Sequence, residues 1–159
     1  MMDVFWESGS KPAANGALAM NWLFKEEPAN YSYENLVTDG KTSWVGVKNP
    51  LAQKHLRSVR KGDLIFYYHT GDEKAVVGVM KASADAYPDP ADRSGKLHAV
   101  DVAPVRKLKR PVTLAEIKAD KRFVDFALTR ISRLSVMPVT AAQWKAIERL
   151  SDEDDGRER

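Results

Sequence analysis

The chain alternates short apolar runs with polar turns, and each apolar run has the length of a single β-strand. The strongest runs are 64–69 and 76–82, because both are rich in β-branched and aromatic residues. The segment 71–74 between them begins with Gly71 and predicts a hairpin loop. Further strands are predicted at 21–25, 43–47, 97–105 and 134–139. The strand at 97–105 is expected to have an irregularity near Pro104.

Four residues have the features of helix N-caps. Ser32 precedes a short predicted helix over 33–38, and Asn49 stands before Pro50, which is favoured at the first position of a helix reaching about residue 59. Capping boxes begin two further helices, and one or two helices are expected over 120–129. The boxes pair Thr113 with Glu116 and Thr140 with Gln143.

The predicted order of elements is β, α, β, α, β, β, β, α, β, α. Strands and helices do not alternate regularly, which argues against a doubly wound parallel sheet. We therefore expect an α+β fold, built as a mixed β-barrel of five to six strands surrounded by short helices.

A length of 159 residues allows one domain. Residues 1–20 are predicted to be a flexible leader, 21–150 a folded domain and 151–159 an acidic, disordered tail. The folded part has 22 Lys and Arg against 15 Asp and Glu, a balance of +7 that the flanking segments reduce to +3. A basic body favours an anionic partner, nucleic acid first, whereas charge taken alone slightly favours a role in solubility.

The chain has no Cys, which excludes disulfides, zinc knuckles and thiol nucleophiles and is typical of a reducing compartment. No apolar run approaches the roughly 18 residues of a transmembrane helix. The first 20 residues also lack the pattern of a secretory signal. We expect a monomer without membrane contact, located in the cytoplasm, or in the nucleus of a eukaryote.

Sequence patterns typical of catalysis are missing. His55, His69 and His98 stand 14 and 29 residues apart, which is not a metal-ligand spacing. Neither a glycine-rich phosphate-binding motif nor a nucleophile elbow occurs. We therefore expect no metal, no cofactor and no catalytic residue. An enzyme acting on nucleic acid or a nucleotide, such as a base hydrolase, is the alternative, with Glu26, Asp101 and His69 as its acid and base candidates.

Aromatic and polar residues cluster at the ends of predicted strands. Trp22 and Trp44 lie in two of them, and the run Phe66-Tyr67-Tyr68-His69 closes a third. Because successive side chains of a strand point to opposite faces, Tyr67 and His69 share one face. Such sets hold single-stranded or extruded bases, since stacking on an aromatic ring contributes roughly 1–3 kcal/mol per base and polar groups read the base edge.

Trp44 is the aromatic residue most expected to contact a ligand, because Gly46 beside it suggests a close backbone approach. Each other aromatic side chain, taken singly, is more typical of a core. For Trp22 in particular we favour the core.

Several ordered motifs across 21–150 resemble the EVE domain family. Its opening motif is similar to Trp22-Leu23-Phe24-Lys25-Glu26-Glu27-Pro28, and its Trp-x-Gly-Val-Arg-Asn element is similar to 44–49. Its Gly-Asp-x-x-Phe-x-Tyr-His-Ser element resembles 62–70, where Thr70 replaces the Ser. Its Ala-Tyr-Pro-Asp, Pro-Val-x-Leu and Arg-Leu-Ser-Val elements resemble 86–89, 111–114 and 133–136.

The resemblance implies a PUA-like fold and a module that binds DNA or RNA through a pocket for one extruded, modified base, such as methylated or hydroxymethylated cytosine. It implies no cofactor and no established catalysis. Trp44 is expected to stack on the base or to wall the pocket, and Lys48 and Arg133 to contact phosphate at the rim. The expected pocket residues are Trp22, Lys25, Glu26, Trp44, Asn49, Tyr67, Tyr68, His69 and Ser135.

Two residues depart from the family pattern. Glu26 stands where Ser or Thr is usual, and its carboxylate could accept hydrogen bonds from a base amino group or repel phosphate. Lys48 stands where Arg is usual and lacks the bidentate fork of a guanidinium. A small-molecule or protein-interaction module is a third possibility, which a closed, apolar pocket without a basic rim would favour.

Overall fold

A mixed seven-stranded sheet organises residues 20–153, which are the residues that the structure, a computed structural model, describes. The strands are β1 (Asn21–Glu26), β2 (Thr42–Trp44), β3 (Leu64–His69), β4 (Ala75–Ala82), β5 (Tyr87–Pro88), β6 (His98–Thr113) and β7 (Val136–Val139). Their hydrogen-bonded order is β2-β6-β4-β3-β1-β7, and β5 pairs with β6 outside this path. β1 and β3 run parallel, and the other pairings in the described range are antiparallel.

Short helices accompany the sheet, and the predicted caps are confirmed. The side chains of Ser32, Asn49, Thr113 and Thr140 each accept a hydrogen bond from a backbone N–H of the first turn. No helix in residues 20–153 has the length and apolar character needed to cross a membrane. The helices are α1 (Tyr33–Asp39), α2 (Pro50–Arg57), α3 (Leu114–Lys118), α4 (Ala127–Arg130) and α5 (Ala141–Asp152), with a 3₁₀ turn at Lys121–Phe123.

The expected α+β fold is confirmed as a curled, barrel-like mixed sheet with peripheral helices. The described residues contain seven strands rather than five to six, because the two-residue strand β5 adds to the edge of β6. The strand predicted at 97–105 continues to Thr113, since pairing with β4 resumes beyond the irregularity. That irregularity, predicted near Pro104, is confirmed as a register shift between Val79 and Met80 of β4.

The C-terminal boundary of the folded part differs from the prediction. Helix α5 continues to Asp152, so a boundary at residue 150 falls inside the helix. Ser151 is buried, and its hydroxyl donates to the Arg110 carbonyl at 3.1 Å. The predicted flexible leader, apart from Met20, and the acidic tail beyond Glu153 lie outside the described residues.

Both faces of the sheet bury aromatic side chains, and β3 shows the predicted alternation. Phe66 stacks on Trp144 of α5, with ring centroids 3.7 Å apart and 14° between the ring planes. Tyr67, the next residue, contacts Trp44 and Tyr33 edge-on, at 5.4 and 5.5 Å. One face of the sheet therefore packs on α5, and the other faces the segment around Trp44.

Gly78 in β4 makes room for Tyr33. A Cβ atom at this position would lie 2.6 Å from the Tyr33 ring, which is closer than non-bonded atoms approach. The space allows the Tyr33 hydroxyl to donate to the Val79 carbonyl at 2.8 Å. This contact joins α1 to the sheet beside the cavity described next.

Candidate functional site

The end of β1 and the segment around β2 enclose a cavity of about 340 Å³. Ligand pockets in proteins typically have volumes of about 300–1,000 Å³. The strand predicted at 43–47 ends at Trp44, and residues 45–48 leave the sheet to form one wall. The lining residues are Lys25, Glu26, Tyr31, Thr42, Ser43, Trp44, Val45, Gly46, Val47, Lys48 and Ser135.

Trp44 forms an aromatic wall that the core holds in place. The residue is 8% exposed, and its ring lies 5.4 Å from the rings of Phe24 and Tyr67, tilted by 52° and 85°. The Tyr67 hydroxyl donates to the Tyr31 carbonyl, so Tyr67 contacts two of the lining residues, Trp44 and Tyr31. The cavity therefore has a pre-formed aromatic side, as stacking with a flat ligand requires.

Gly46 turns the chain along the cavity. Its φ is 78°, in the left-handed region that residues with a side chain rarely adopt. A Cβ atom added to Gly46 would meet no atom within 4 Å. No described protein atom therefore approaches Gly46 closely, and the backbone conformation accounts for the glycine, while close approach of a ligand here stays a prediction.

Glu26 brings a carboxylate to the cavity with few protein partners. Its Oε1 accepts a hydrogen bond from the Glu27 N–H at 3.2 Å, and no cation pairs with it within residues 20–153. Burial raises the pKa of Glu26 above its ordinary value, and the Glu27 N–H opposes this shift. Burial, followed by the charge of Glu26, also raises the pKa of Tyr67.

Lys25 follows the alternation of β1 and extends away from Glu26. Its ammonium donates to the Ser132 carbonyl at 2.9 Å and lies 5.7 Å from the centroid of the Tyr68 ring. Burial lowers the pKa of Lys25 below its ordinary value. The Lys25 backbone N–H donates to the Ser135 carbonyl at 2.9 Å, which fixes both residues at one edge of the cavity.

A hydrogen-bonded cluster holds Ser43 in the cavity wall. The hydroxyls of Ser43 and Tyr87 both donate to Oδ1 of Asp101, at 2.7 Å in each case. The Tyr87 hydroxyl, and then that of Ser43, holds the pKa of Asp101 below its ordinary value. Asp101, which does not itself line the cavity, therefore holds Ser43 in position.

The two rim residues predicted from the sequence are both exposed. Lys48 lines the cavity, whereas Arg133 lies in the loop two residues before Ser135. Neither side chain has a hydrogen bond or ion pair with another described residue. Both cations are therefore available to an anionic ligand.

Trp22 and Asn49 do not line the cavity. Trp22 is 3% exposed, and its indole N–H donates to Asp63 Oδ2 at 2.8 Å, which places this residue in the core. Asn49 caps α2, where its side-chain oxygen accepts from the Ala52 N–H at 2.9 Å.

The run at the end of β3 supports the cavity rather than lining it. Tyr67 is fully buried behind Trp44, and Tyr68 lies on the α5 face beside Lys25. His69 is 7% exposed, and its Nε2 accepts a hydrogen bond from the Tyr33 N–H at 3.0 Å. Its Nδ1 lies 2.8 Å from Oε1 of Glu73, so both ring nitrogens have protein partners.

The side chains of the acid and base candidates of the enzyme alternative form no hydrogen bond with one another, although Glu26 and His69 are register partners in β1 and β3. A carboxylate does lie within hydrogen-bond reach of His69, but it belongs to Glu73, outside the cavity lining. Asp101 binds two hydroxyls, and only Glu26 of the three candidates lines the cavity. Within the described range, no group of three His, Asp, Glu or Cys residues could hold a metal ion.

Sequence reasoning missed several lining residues, namely Tyr31, Thr42, Ser43, Val45 and Val47. The alternation of β2 offered one signal, because Thr42 shares a strand face with Trp44. Tyr31 offered none, since it reaches the cavity only through the packing of α1 on the sheet.

A second cavity, of about 560 Å³, lies beside the 3₁₀ turn and is larger than the first. It contains none of the site residues predicted from the sequence. Size alone therefore does not identify the functional site, and we place the site by its chemistry. The residues lining this second cavity are Lys118, Ala119, Asp120, Lys121, Phe123, Val124 and Thr129.

The family model of the EVE domain matches residues 20–150. The chain belongs to the EVE domain family. Human thymocyte nuclear protein 1 is 29% identical over an alignment covering 86% of this chain and 76% of the human protein. The match takes in the whole sheet and all the lining residues of the first cavity.

Solved structures of EVE relatives have the same fold. The structure of Rpa0253 from Rhodopseudomonas palustris is 41% identical, with a TM-score of 0.80 over 89% of this chain and 100% of that chain. Human THYN1 protein in complex with 5-methylcytosine-containing DNA is 28% identical, with a TM-score of 0.79 over 86% of this chain and 99% of that chain.

Proposed function

We propose that this EVE domain protein is a noncatalytic nucleic-acid-binding module, and that its 340 Å³ cavity accepts one extruded, modified base. The observation that carries the proposal is the combination of an aromatic wall, polar edge groups and a free cation in one cavity of suitable size. The human relative in complex with 5-methylcytosine-containing DNA supports DNA as the nucleic acid and 5-methylcytosine as the first base to test.

The lining supplies the contacts that an extruded base needs. Trp44 offers an apolar surface for the base plane, and stacking of this kind contributes roughly 1–3 kcal/mol per base. Glu26 and the irregular backbone after β2 offer hydrogen-bonding groups for the base edge. Because Phe24 and Tyr67 hold the Trp44 ring, binding does not have to order it, which lowers the entropic cost.

The exposed cations beside the cavity suit the phosphates that flank an extruded nucleotide. Lys48 lies in the lining, and Arg133 is close to Ser135 along the chain. Phosphate contacts position a nucleic acid without reading its sequence. Counterion release then makes the affinity fall as the salt concentration rises. The lysines and the polar lining also make a purely apolar small-molecule pocket the weaker interpretation.

The experiment compares Trp44→Ala with Trp144→Ala, which removes an equally large, buried ring from the opposite face of the sheet. Binding of fluorescent duplexes with 5-methylcytosine or cytosine at one position is measured by anisotropy, at a temperature where circular dichroism shows each variant folded. We expect Trp44→Ala to lose about tenfold or more in affinity, as the loss of stacking implies. Trp144→Ala should bind within about twofold of the wild type, because its ring does not line the cavity.

Absence of binding to any oligonucleotide, or wild-type affinity of Trp44→Ala, would refute the proposal. Trp44→Phe provides a milder variant if the alanine variant unfolds, because it keeps a ring with a smaller stacking area. RNA of the same sequence is tested in parallel, since the chemistry of the cavity does not by itself select the sugar.

Mass spectrometry of the oligonucleotide after incubation tests the noncatalytic part of the proposal. We expect the mass to stay unchanged, whereas a released or altered base would favour the base-hydrolase alternative. Light scattering in the same buffer tests the predicted monomer.

A further inference from the structure

We propose that Glu26 makes this protein select bases with an exocyclic amino group over bases with a keto oxygen at the same ring position. The ligand class would be cytosine-type bases, as against thymine and uracil. This inference rests on the proposed base-binding function and adds a specificity-determining residue to it.

The position of Glu26 in β1 directs its side chain toward the aromatic wall. The Phe24 ring contacts the Trp44 ring at 5.4 Å, and Glu26 follows Phe24 by two residues, so strand alternation places both on one face. Lys25 lies on the other face, where its ammonium donates to the Ser132 carbonyl. The carboxylate therefore faces the cavity without neutralisation by its chain neighbour.

The carboxylate of Glu26 has unused capacity to accept hydrogen bonds. Oε1 receives one bond from the Glu27 N–H, and Oε2 has no partner within residues 20–153. Burial of an ionised group is costly unless hydrogen bonds replace its lost water. The raised pKa of Glu26 is the expected consequence of this burial. Glu26 is only half-buried, and its open oxygen can accept from the N–H of a ligand, whereas an oxygen acceptor placed against it would be repelled.

Cytosine and thymine differ at the group that such a carboxylate would read. Cytosine carries an amino group at ring position 4 that donates hydrogen bonds, and thymine carries an acceptor oxygen there. A carboxylate placed at ring position 4 therefore accepts from the amino group of 5-methylcytosine and is repelled by the thymine oxygen. The donor that thymine offers on the same edge, its N3–H, lies one ring position away, where cytosine has an acceptor. The two bases share the ring and the methyl group, so shape and apolar contact with Trp44 do not separate them.

The carboxylate of Glu26 favours an amino group over a keto oxygen because, unlike a hydroxyl, it has no hydrogen to donate when ionised. A Ser or Thr hydroxyl at this position would be able to donate as well as accept. A Ser or Thr side chain can therefore adapt to an amino or a keto group by rotating its hydrogen. The carboxylate of Glu26 can only accept when it is ionised. We infer that the Glu in this chain narrows the range of accepted bases.

The test uses three fluorescent DNA duplexes that differ only at one central base, which is 5-methylcytosine, thymine or cytosine. Each duplex has an abasic site opposite that base, so none of the three is paired and the energy of extrusion is matched. Dissociation constants are measured at low salt for the wild type, Glu26→Gln, Glu26→Ser and the control Glu27→Gln. The control removes the same charge from the next residue, which does not line the cavity.

We expect the wild type to bind 5-methylcytosine about tenfold or more tightly than thymine, as the loss of one good base contact implies. Glu26→Gln and Glu26→Ser should reduce this ratio to less than about threefold, because both side chains can donate to the thymine oxygen. Glu27→Gln should keep the wild-type ratio. Removal of a negative charge can strengthen binding to all three duplexes, so the ratio rather than the affinity is the readout.

The outcomes separate this inference from the proposed function. If none of the duplexes binds, the proposed function fails. If the wild type binds 5-methylcytosine and thymine equally, or if Glu26→Gln keeps the wild-type ratio, the base-binding function stands and the role of Glu26 is overturned. Thermal unfolding of each variant confirms that the comparison is made on folded protein.

Discussion

Replacement of Tyr67 by Phe tests the support of the aromatic wall. Tyr67 is fully buried, and its hydroxyl donates to the Tyr31 carbonyl. Tyr67→Phe removes this hydroxyl while leaving the ring in contact with Trp44 and Tyr33. The chain offers a matched control in the next residue, because Tyr68 is also buried but its hydroxyl has no hydrogen bond to a described residue.

The expected loss of stability in Tyr67→Phe comes from the Tyr31 carbonyl, which loses its hydrogen-bond donor. A buried carbonyl that loses its donor costs about 1–3 kcal/mol, and Tyr31 lines the cavity, so water entering there places the cost toward the lower end. Tyr68→Phe should change the free energy of unfolding by less than about 0.5 kcal/mol, since no hydrogen bond is lost. The contact of the Lys25 ammonium with the ring at position 68 should remain, because Phe keeps the ring.

Urea unfolding monitored by circular dichroism measures both variants. With a slope of about 2 kcal/mol per M urea, Tyr67→Phe should lower the midpoint by roughly 0.5–1 M, at an unchanged slope. Tyr68→Phe should shift it by no more than about 0.25 M. Equal shifts in the two variants, or no shift in Tyr67→Phe, would show that the hydrogen bond to Tyr31 does not contribute as the structure implies.

Three further predictions follow from contacts around the cavity. Gly78→Ala should destabilise the fold by about 1–3 kcal/mol, because the added methyl would overlap the Tyr33 ring; thermal unfolding measures this, and an unchanged melting temperature would contradict it. The hydroxyls of Tyr87 and Ser43 lower the pKa of Asp101, so its carboxylate stabilises the fold above its ordinary pKa and loses this contribution as the pH falls through the lowered value. Asp101→Asn should therefore be less stable than the wild type at neutral pH, with the difference shrinking in acid below about pH 4. Lys48→Gln should weaken binding to all oligonucleotides alike and reduce the dependence of log affinity on log salt by about one ion, whereas Lys81→Gln, an exposed lysine outside the cavity lining, should not.

Local features were predictable from the sequence because each depends on residues close together in the chain. The caps at Ser32, Asn49, Thr113 and Thr140 satisfy backbone N–H groups within three residues, so their side chains and spacing predict them. The irregularity near Pro104 follows from a residue that cannot donate to a strand pairing. The alternation along β3 was also predictable, since it is a property of every strand.

The site residues were predictable in part. Lys25, Glu26, Trp44, Lys48 and Ser135 do line one cavity, although they come from three separate segments. Strand alternation could not say which face of β3 supports the cavity, because that depends on where the segment 44–48 crosses the sheet. His69 lies on the same face as Tyr67, but its ring contacts Glu73 and Tyr33, and Tyr33 lies 36 residues earlier in the chain. A polar residue in a motif indicates that its side chain has a role. Its hydrogen-bond partners in the folded protein decide whether it binds a ligand or holds neighbouring residues in place.

The sequence by itself determined the elements, their caps, the fold class and the segments that meet at the site, because these depend on local spacing and on ordered motifs. Only the tertiary structure decided which members of those segments face the cavity. The parallel pairing of β1 with β3 places Lys25 beside Tyr68 and Glu26 beside His69. The first pair lies on one face of the sheet and the second pair on the other. Trp44 then packs over only one of these faces, against Phe24 and Tyr67. Both Lys25 and Glu26 line the cavity, but the Lys25 ammonium is bonded to the Ser132 carbonyl, whereas the Glu26 carboxylate follows Phe24 on the Trp44 side. Neighbours in the chain thus acquire different roles, because a sheet has two faces and long-range packing gives each a different environment.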